Sequence, residues 1–127
     1  MIIDIKTEIR TALLANQSLS AMLGKDKFGN VPIYQMIAAE AEKYPRITFF
    51  EVTNFDSAFA EDTAFGSEII IQIDVWSKES TSAISGEVDR VMKGLSYTRT
   101  SAADLYEDDT KVLHKAMRFK TNRIIEE

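Results

Sequence analysis

The clearest pattern of hydrophobic and polar positions runs from residue 68 to residue 78. Apolar β-branched residues occupy every second position, namely Ile69, Ile71, Ile73 and Val75. The positions between them are mixed and hold Ile70, Gln72, Asp74 and Trp76. A period of two is typical of a β-strand. A strand of about ten residues spans roughly 33 Å, so we expect this one to form the centre of a sheet.

A helix is predicted directly after this strand. Ser80 or Thr81 suits the N-cap position. Helical spacing then joins an apolar stripe, which consists of Ile84, Val88, Val91, Met92 and Leu95. Asp89 and Lys93 stand at the i, i+4 spacing that supports a helix. Residues 68–95 therefore predict a long strand and the helix that covers it.

The amino-terminal part of the chain predicts two further helices. Apolar residues recur at spacings of three and four over residues 2–15, at Ile2, Ile5, Ile9, Ala12 and Leu13. Ser18 then suits the cap of a short second helix that ends before Gly24. Residues 25–32 indicate a loop.

More strands are predicted further along the chain. Residues 46–54, directly after Pro45, are rich in β-branched and aromatic side chains. Residues 102–106 and 111–122 predict a hairpin around an acidic turn. On its second strand we expect the face of Leu113, Met117 and Phe119 to point inward. Residues 33–41 fit a helix or a short strand equally well, and both alternatives stay open.

The order of these elements is not the alternation of strand and helix that builds a parallel sheet. It predicts the α+β fold class, with a mostly antiparallel sheet and helices packed on one face. At 127 residues the chain has the size of one compact domain. Residues 1–127 are therefore expected to form a single α+β domain.

Residues 55–66 are predicted as a loop because they contain turn-forming aspartate, serine and glycine. The same segment carries three large apolar side chains, Phe55, Phe59 and Phe65, and the acidic pair Glu61 and Asp62. Such phenylalanines either fold under the domain or dock on another molecule, and both alternatives stay open. We take these five residues as the candidate protein-interaction site.

Composition restricts the classes of function. With 45% hydrophobic and 28% charged residues the chain is expected to be a soluble globular protein. It has no run of the ~20 apolar residues that cross a bilayer and no signal-peptide pattern, so we expect no membrane association. The absence of cysteine fits a reducing cytoplasm. A net charge of −5 disfavours non-specific binding of nucleic acid, which makes proteins the expected partners.

Candidate chemistry is sparse. His114 is the only histidine, and a surface or half-buried position on a sheet is the simpler interpretation of it. The acidic runs at residues 61–62 and 107–109 lack the spacing of a calcium loop, and the five glycines form no nucleotide-binding motif. We therefore expect no catalytic residue, no metal site, no cofactor and no small-molecule ligand.

Three basic residues near the carboxyl terminus allow two interpretations. Arg118, Lys120 and Arg123 fall on or beside the last predicted strand. They could contact a phosphate group, or they could form a solvated basic edge that discourages pairing with other sheets. The second interpretation is the simpler one.

Four motifs give the chain a resemblance to a known family. They are Asp74-Val75-Trp76-Ser77 at the end of the long strand, Ala12-Leu13-Leu14-Ala15, Tyr44-Pro45-Arg46-Ile47-Thr48-Phe49 and the closing segment from Leu113 to Phe119. In their order and separations these motifs resemble the tail-completion family of long-tailed bacteriophages. Members are also called head-tail joining or minor tail proteins. The resemblance spans most of the chain.

This resemblance implies a structural subunit that assembles with copies of itself into a ring, with a hexamer as the expected size. The ring would complete the tail, contact tail-tube and head-connector proteins, and let DNA pass without specific binding. The protein would be present in the host cytoplasm during assembly and afterwards in the virion. The family implies no catalytic residues. Two other hypotheses remain: a non-enzymatic module that binds one dedicated partner, and, with least support, a small hydrolase around His114.

Overall fold

The structure, a computed structural model, describes residues 4–40, 42–60 and 63–124. Its helices are α1 (Lys6–Ala15), α2 (Gln17–Leu23) and α3 (Ser82–Gly94). Its strands are β1 (Ile33–Gln35), β2 (Arg46–Ala60), β3 (Thr63–Ser77), β4 (Thr98–Glu107) and β5 (Val112–Ile124). Within the described residues these elements give an α+β fold, as predicted.

The five strands form one mixed sheet in the order β1-β2-β3-β5-β4. β3 lies at the centre, as its alternation predicts, and pairs antiparallel with both β2 and β5. β4 pairs antiparallel with β5. The short β1 runs parallel to β2, so the sheet is mostly but not purely antiparallel. Of the two alternatives for residues 33–41, helix or short strand, the structure shows a strand over Ile33–Gln35.

One hydrophobic cluster holds the elements together. Alternate residues of β2, β3 and β5 are fully buried in it, among them Ile47, Phe49, Ile69, Ile71, Ile73, Val75 and Phe119. The helices contribute Ile9, Leu13, Leu19, Ile84, Val88 and Met92 to the same cluster. Burial of one such aliphatic side chain stabilises the fold by about 1.5–3 kcal/mol. The prediction that all helices pack on one face of the sheet stays a prediction.

The helix ends differ in detail from the sequence prediction. α2 is capped by Asn16, whose side chain accepts a hydrogen bond from the Leu19 amide at 3.0 Å, and not by Ser18. The helix ends at Gly24, whose positive φ of 71° favours glycine. α3 follows Thr81, and its Asp89 and Lys93 form the predicted ion pair at 2.8 Å.

The predicted loop over residues 55–66 is wrong. β2 continues to Ala60 and β3 begins at Thr63, so that, apart from Glu61 and Asp62, which the structure does not describe, the segment consists of two paired strands. Register shifts at Asp56/Ala58 and Ala58/Phe59 accommodate its irregular sequence. Cross-strand pairing with β3 outweighs the local turn preference of aspartate and serine, because strand formation depends on neighbours more than on intrinsic propensity.

The β4–β5 hairpin is confirmed, but the predicted inward face of β5 is only partly correct. Met117 and Phe119 are buried, as expected, whereas Leu113 is 37% exposed. At that end of the strand the buried residues are instead Val112 and His114. The predicted orientation fails at this end because the opposite face of the sheet is covered as well. On that face Trp76 stacks on His114 with ring centroids 3.7 Å apart.

Candidate assembly surfaces

Large exposed apolar side chains lie mainly along the two opposite edges of the sheet. On the side of β1 and β2 they are Phe28, Met36, Ile37, Phe55 and Phe59. On the side of β4 and β5 they are Leu105, Tyr106 and Leu113. Exposed apolar patches of this kind are typical of protein-interaction sites. The two groups are separated by the width of a five-stranded sheet, so one flat partner surface would not cover both.

The first edge is formed mainly by β2. β1 pairs only with residues 47–49, and among the described residues no other strand pairs with the outer side of residues 50–60. We call residues 50–60 the β2 edge. Phe55 and Phe59 lie on it and are 49% and 57% exposed. The alternative in which these two phenylalanines fold under the domain is therefore wrong, because about half of each side chain contacts solvent.

The remaining predicted interaction residues are only partly described. Phe65 lies in β3, on the strand that pairs with the β2 edge. Glu61 and Asp62 lie outside the described residues. The structure thus places Phe55, Phe59 and Phe65 in one hairpin, and a contact role for the five residues stays a prediction.

The loop before β1 is held together by hydrogen bonds to one carboxylate. The buried Asp26 carboxylate accepts hydrogen bonds from the amides of Phe28 and Asn30 and from the Tyr34 hydroxyl at 2.7 Å. Gly29 permits the turn through its φ of 81°. The hydrogen bond from Tyr34 lowers the pKa of Asp26, with smaller contributions from the backbone amides. Phe28 is consequently held 61% exposed on an ordered loop.

The pKa of Tyr34, the donor in this hydrogen bond, shifts in the opposite direction. Burial, and then the hydrogen bond to Asp26, raise the pKa of Tyr34 to about 12. The amide of Lys27 also donates to the Glu40 carboxylate at 2.9 Å, which ties the loop to the segment after β1. That segment carries Met36 and Ile37, which are 65% and 79% exposed. Both segments flanking β1 therefore present apolar side chains from anchored backbone.

The second edge is β4, and every one of its ten residues is exposed. It pairs with β5 on one side and with no other strand among the described residues. Leu105 and Tyr106 are 50% and 53% exposed. The middle of the strand, residues 100–103, consists of small uncharged side chains. Such an edge presents unpaired backbone groups that a further strand can use.

His114 belongs to a buried polar network and not to a recognisable catalytic site. Its Nε2 lies 2.7 Å from the Asp74 carboxylate, which also accepts a hydrogen bond from Gln72. Trp76 stacks on the imidazole and donates its indole N–H to Thr48. In the described part of the chain His114 makes no hydrogen bond to a serine or threonine hydroxyl. The arrangement links β2, β3 and β5, but it presents no activated nucleophile.

The three carboxyl-terminal basic residues are each engaged within the protein. Arg123 binds both carboxylate oxygens of Glu8 at 2.7 and 3.1 Å, and this interaction raises its pKa. Lys120 pairs with Glu68. Arg118 donates to the neutral amide oxygen of Gln72 and stays exposed. A phosphate site formed by all three is therefore not favoured, since two of the charges are already compensated.

The described residues contain neither a candidate metal site nor a candidate membrane-spanning helix. No group of three or more acidic, histidine or cysteine side chains there is arranged to hold a metal ion. None of the helices in the same residues has the length and apolar character that a membrane crossing requires.

Most of the exposed apolar residues were missed from sequence. Phe28 gives no periodic signal. Met36 and Ile37 belong to the helical spacing that left a helix open over residues 33–41, but they lie in the loop after β1. Leu105 and Tyr106 look like part of an ordinary strand, and only the absence of a covering layer makes them surface residues. Phe55 and Phe59 could be found because two aromatic residues stood in an otherwise polar segment.

The fold and the exposed apolar surfaces indicate a broad class of protein. An α+β fold with exposed apolar side chains on two opposite sheet edges fits a structural assembly protein, and no reaction centre is evident in the part of the chain that the structure describes. Sequence comparison then identifies the family. A family model described as tail completion protein gp17 matches residues 7–122, so the chain belongs to that family of phage tail structural proteins.

Comparison of solved structures agrees on the fold. A chain from the virion of a native gene transfer agent particle is 12% identical to this one. The match covers 91% of this chain and 90% of that chain, with a TM-score of 0.59. At this identity the similarity shows the fold alone. A search of curated proteins found no match to the sequence.

Proposed function

We propose that this protein is a ring subunit that completes a phage or prophage tail and joins it to the head connector. Membership of the tail completion family supports the tail role. The observation that carries the ring is the distribution of exposed apolar residues over two opposite edges of the sheet. Two different patches suit head-to-tail contacts, in which each copy uses one edge toward each neighbour. Rotation that closes such contacts gives a ring.

The subunit acts through contacts and not through catalysis. In this proposal the 127 residues form one domain, and the helices lie on one face of the sheet. Tail-tube and head-connector proteins contact the ring, which assembles in the host cytoplasm and remains in the virion. DNA passes through without specific binding, because the net charge of −5 per copy disfavours phosphate contacts. No cofactor and no small-molecule ligand takes part.

The ring is tested on the purified protein by light scattering and electron microscopy of negatively stained particles. We expect Phe59→Ser on the β2 edge and Leu105→Ser on β4 each to weaken association while the monomer stays folded. Arg90→Ser is the control, because the side chain of this arginine is 74% exposed and lies on α3, which belongs to neither edge strand. A defined complex with one dedicated partner, without any ring, would overturn the proposal.

The joining role needs a test in the phage. Deletion of the gene should give a lysate with DNA-filled heads beside unattached tails. Re-expression of the intact protein should restore joined particles, whereas the Phe59→Ser variant should not. Intact infectious particles in the deletion lysate would contradict the joining role.

A further inference from the structure

We propose that the ring is closed by strand pairing, with the β2 edge of one copy added to β4 of the next copy. This inference rests on the ring of the proposed function and goes further by naming the two edges that meet. Its occupant is a second copy of this chain. The sheet of one subunit would then continue into the sheet of its neighbour through main-chain hydrogen bonds.

The middle of the β4 edge lacks the charges and the proline that normally prevent such pairing. Natural edge strands are protected by charges, proline, bulges or short length. β4 has ten residues and one register shift, at Arg99/Ser101, and its middle carries no charge or proline. The side chains of residues 100–103 are small, so another backbone can approach closely. The edge is therefore suited to receive a strand.

The β2 edge has a matching length. No second strand of the described residues pairs with residues 50–60, which gives eleven positions against the ten of β4. At about 3.3 Å per residue the two edges measure roughly 36 and 33 Å. The register shifts along β2 lie on the side of β3, and they bend the strand without removing it from the edge.

Strand direction favours the same pairing. β2 and β5 both run antiparallel to β3, and β4 runs antiparallel to β5, so β2 and β4 point in opposite directions. Rotation of a copy about the ring axis preserves these directions. The registers of the sheet place residues 50–53 of β2 level with residues 98–101 of β4. Pairing along both edges therefore requires strands that are tilted by about 35–45° from the ring axis, as in closed barrels. The β2 edge of the next copy would then meet β4 in the antiparallel arrangement, which is slightly more stable per residue than a parallel pair.

The apolar surfaces of the two edges are also complementary. Their charges do not add to this, since residues 50–60 carry two acidic and no basic residues and β4 carries one basic and two acidic residues. On the neighbouring β5, Arg118 is exposed, and among the described residues its side chain donates to the neutral Gln72. Pairing would bring the edge bearing Phe55 and Phe59 against the edge bearing Leu105 and Tyr106. The apolar residues that each edge exposes would become buried in one junction.

Cysteine cross-linking tests this geometry, and the chain contains no natural cysteine to interfere. Thr53→Cys or Ser57→Cys on the β2 edge is combined with Ala102→Cys or Ala103→Cys on β4, all at exposed positions. Disulfides form only where Cα atoms approach to about 4.4–6.8 Å. We expect at least one of the four double variants to give a ladder of cross-linked copies after mild oxidation, and each single variant to stay uncross-linked.

Two results would overturn the inference in different ways. Rings that form normally but give no ladder in any double variant would leave the proposed function in place and exclude these edges. Dimers from Ala102→Cys or Ala103→Cys alone would show that β4 pairs with β4 of another copy. Absence of rings from the unaltered protein would instead remove the proposed function itself.

A pair of proline variants gives an independent test. In an antiparallel ladder neighbouring residues direct their backbone groups to opposite sides. Of Ala102→Pro and Ala103→Pro, one therefore disrupts the pairing with β5 and the other removes only an outward N–H. We expect the outward variant to keep the fold and to associate about tenfold more weakly, since it loses at least one main-chain hydrogen bond. Unchanged association of that folded variant would contradict strand addition.

Discussion

β3 and β4 are both long strands of one antiparallel region, yet they occupy opposite environments. In β3 the alternate residues Ile69, Ile71, Ile73 and Val75 are completely buried, and a strand pairs on each side. In β4 all ten residues are exposed, and on one side no strand of the described residues pairs with it. The difference separates two roles of a strand: β3 holds the subunit together, while β4 is available to other molecules. Substitutions should therefore affect stability in the centre and association at the edge.

The largest effect is expected for Phe119→Ala on β5, which pairs with Ile71 of β3. Phe119 is fully buried. Loss of the phenyl group leaves a cavity in the hydrophobic cluster, and such substitutions destabilise proteins by about 3–5 kcal/mol. Urea unfolding followed by circular dichroism measures the change in unfolding free energy. A cost below about 1 kcal/mol would mean that the site collapses around the smaller side chain.

His114→Ala should have the next largest effect. It removes the stacking partner of Trp76 and leaves the buried Asp74 with Gln72 as its remaining hydrogen-bond donor. Leaving a buried polar group short of a partner costs about 1–3 kcal/mol. Urea unfolding gives the magnitude, and fluorescence of Trp76, the only tryptophan, reports the lost stacking.

A double-mutant cycle with Asp74→Ala separates the interaction from the two single changes. A coupling energy near zero would show that the pair contributes nothing beyond its burial. Loss of a hydrolytic activity in His114→Ala with an unchanged fold would instead favour the hydrolase hypothesis.

The contrast between β3 and β4 also explains how much could be predicted. The apolar alternation of β3 and the stripe of α3 are properties of the local sequence, so both elements were identified. The bounds of α3 were nearly correct, whereas the first five residues of β3, 63–67, were missed. Residues 55–60 of the β2 edge were not identified as strand, because Asp56 and Ser57 favour turns locally and only pairing with β3 makes them strand residues. The first four residues of β4, 98–101, have no apolar alternation, and their strand conformation depends in the same way on pairing with β5.

The candidate surfaces were predictable only where apolar residues stood out from a polar segment. Phe55 and Phe59 did so. Tyr106 and Leu105 did not, because their exposure results from the absence of a layer over β4, which no local pattern encodes. Knowledge of which strand lies at the edge requires the complete strand order.

The loop before β1, at the other edge of the sheet, predicts a pH dependence of smaller size. The folded pKa of Asp26 is lowered below 3.8, so its contribution to stability is present above that value and is lost as pH falls through the folded pKa. The pKa of Tyr34 is raised to about 12, so its contribution is present below about 10 and is lost as pH rises toward 12.

Tyr34→Phe tests both directions with one variant. It removes the largest cause of the lowered Asp26 pKa, and therefore the unfolding free energy should fall less steeply with acid than in the unaltered protein. The alkaline loss between pH 10 and 12 should also shrink. Denaturant midpoints across the pH range measure both, with Tyr106→Phe as the matched control on the exposed edge strand. Identical acid profiles for the unaltered protein and Tyr34→Phe would contradict the role of the hydrogen bond.

The smallest effect on the monomer is expected for Tyr106→Ala, the edge counterpart of Phe119→Ala. Tyr106 is 53% exposed on β4, and no hydrogen bond holds its side chain among the described residues. Surface substitutions away from such features usually change stability by no more than about 0.5 kcal/mol. Sedimentation should nevertheless show weaker association, because the aromatic side chain of Tyr106 would be buried between neighbouring copies. A large loss of monomer stability would mean that β4 belongs to the same cooperative core as β3, and the separation of roles between centre and edge would fail.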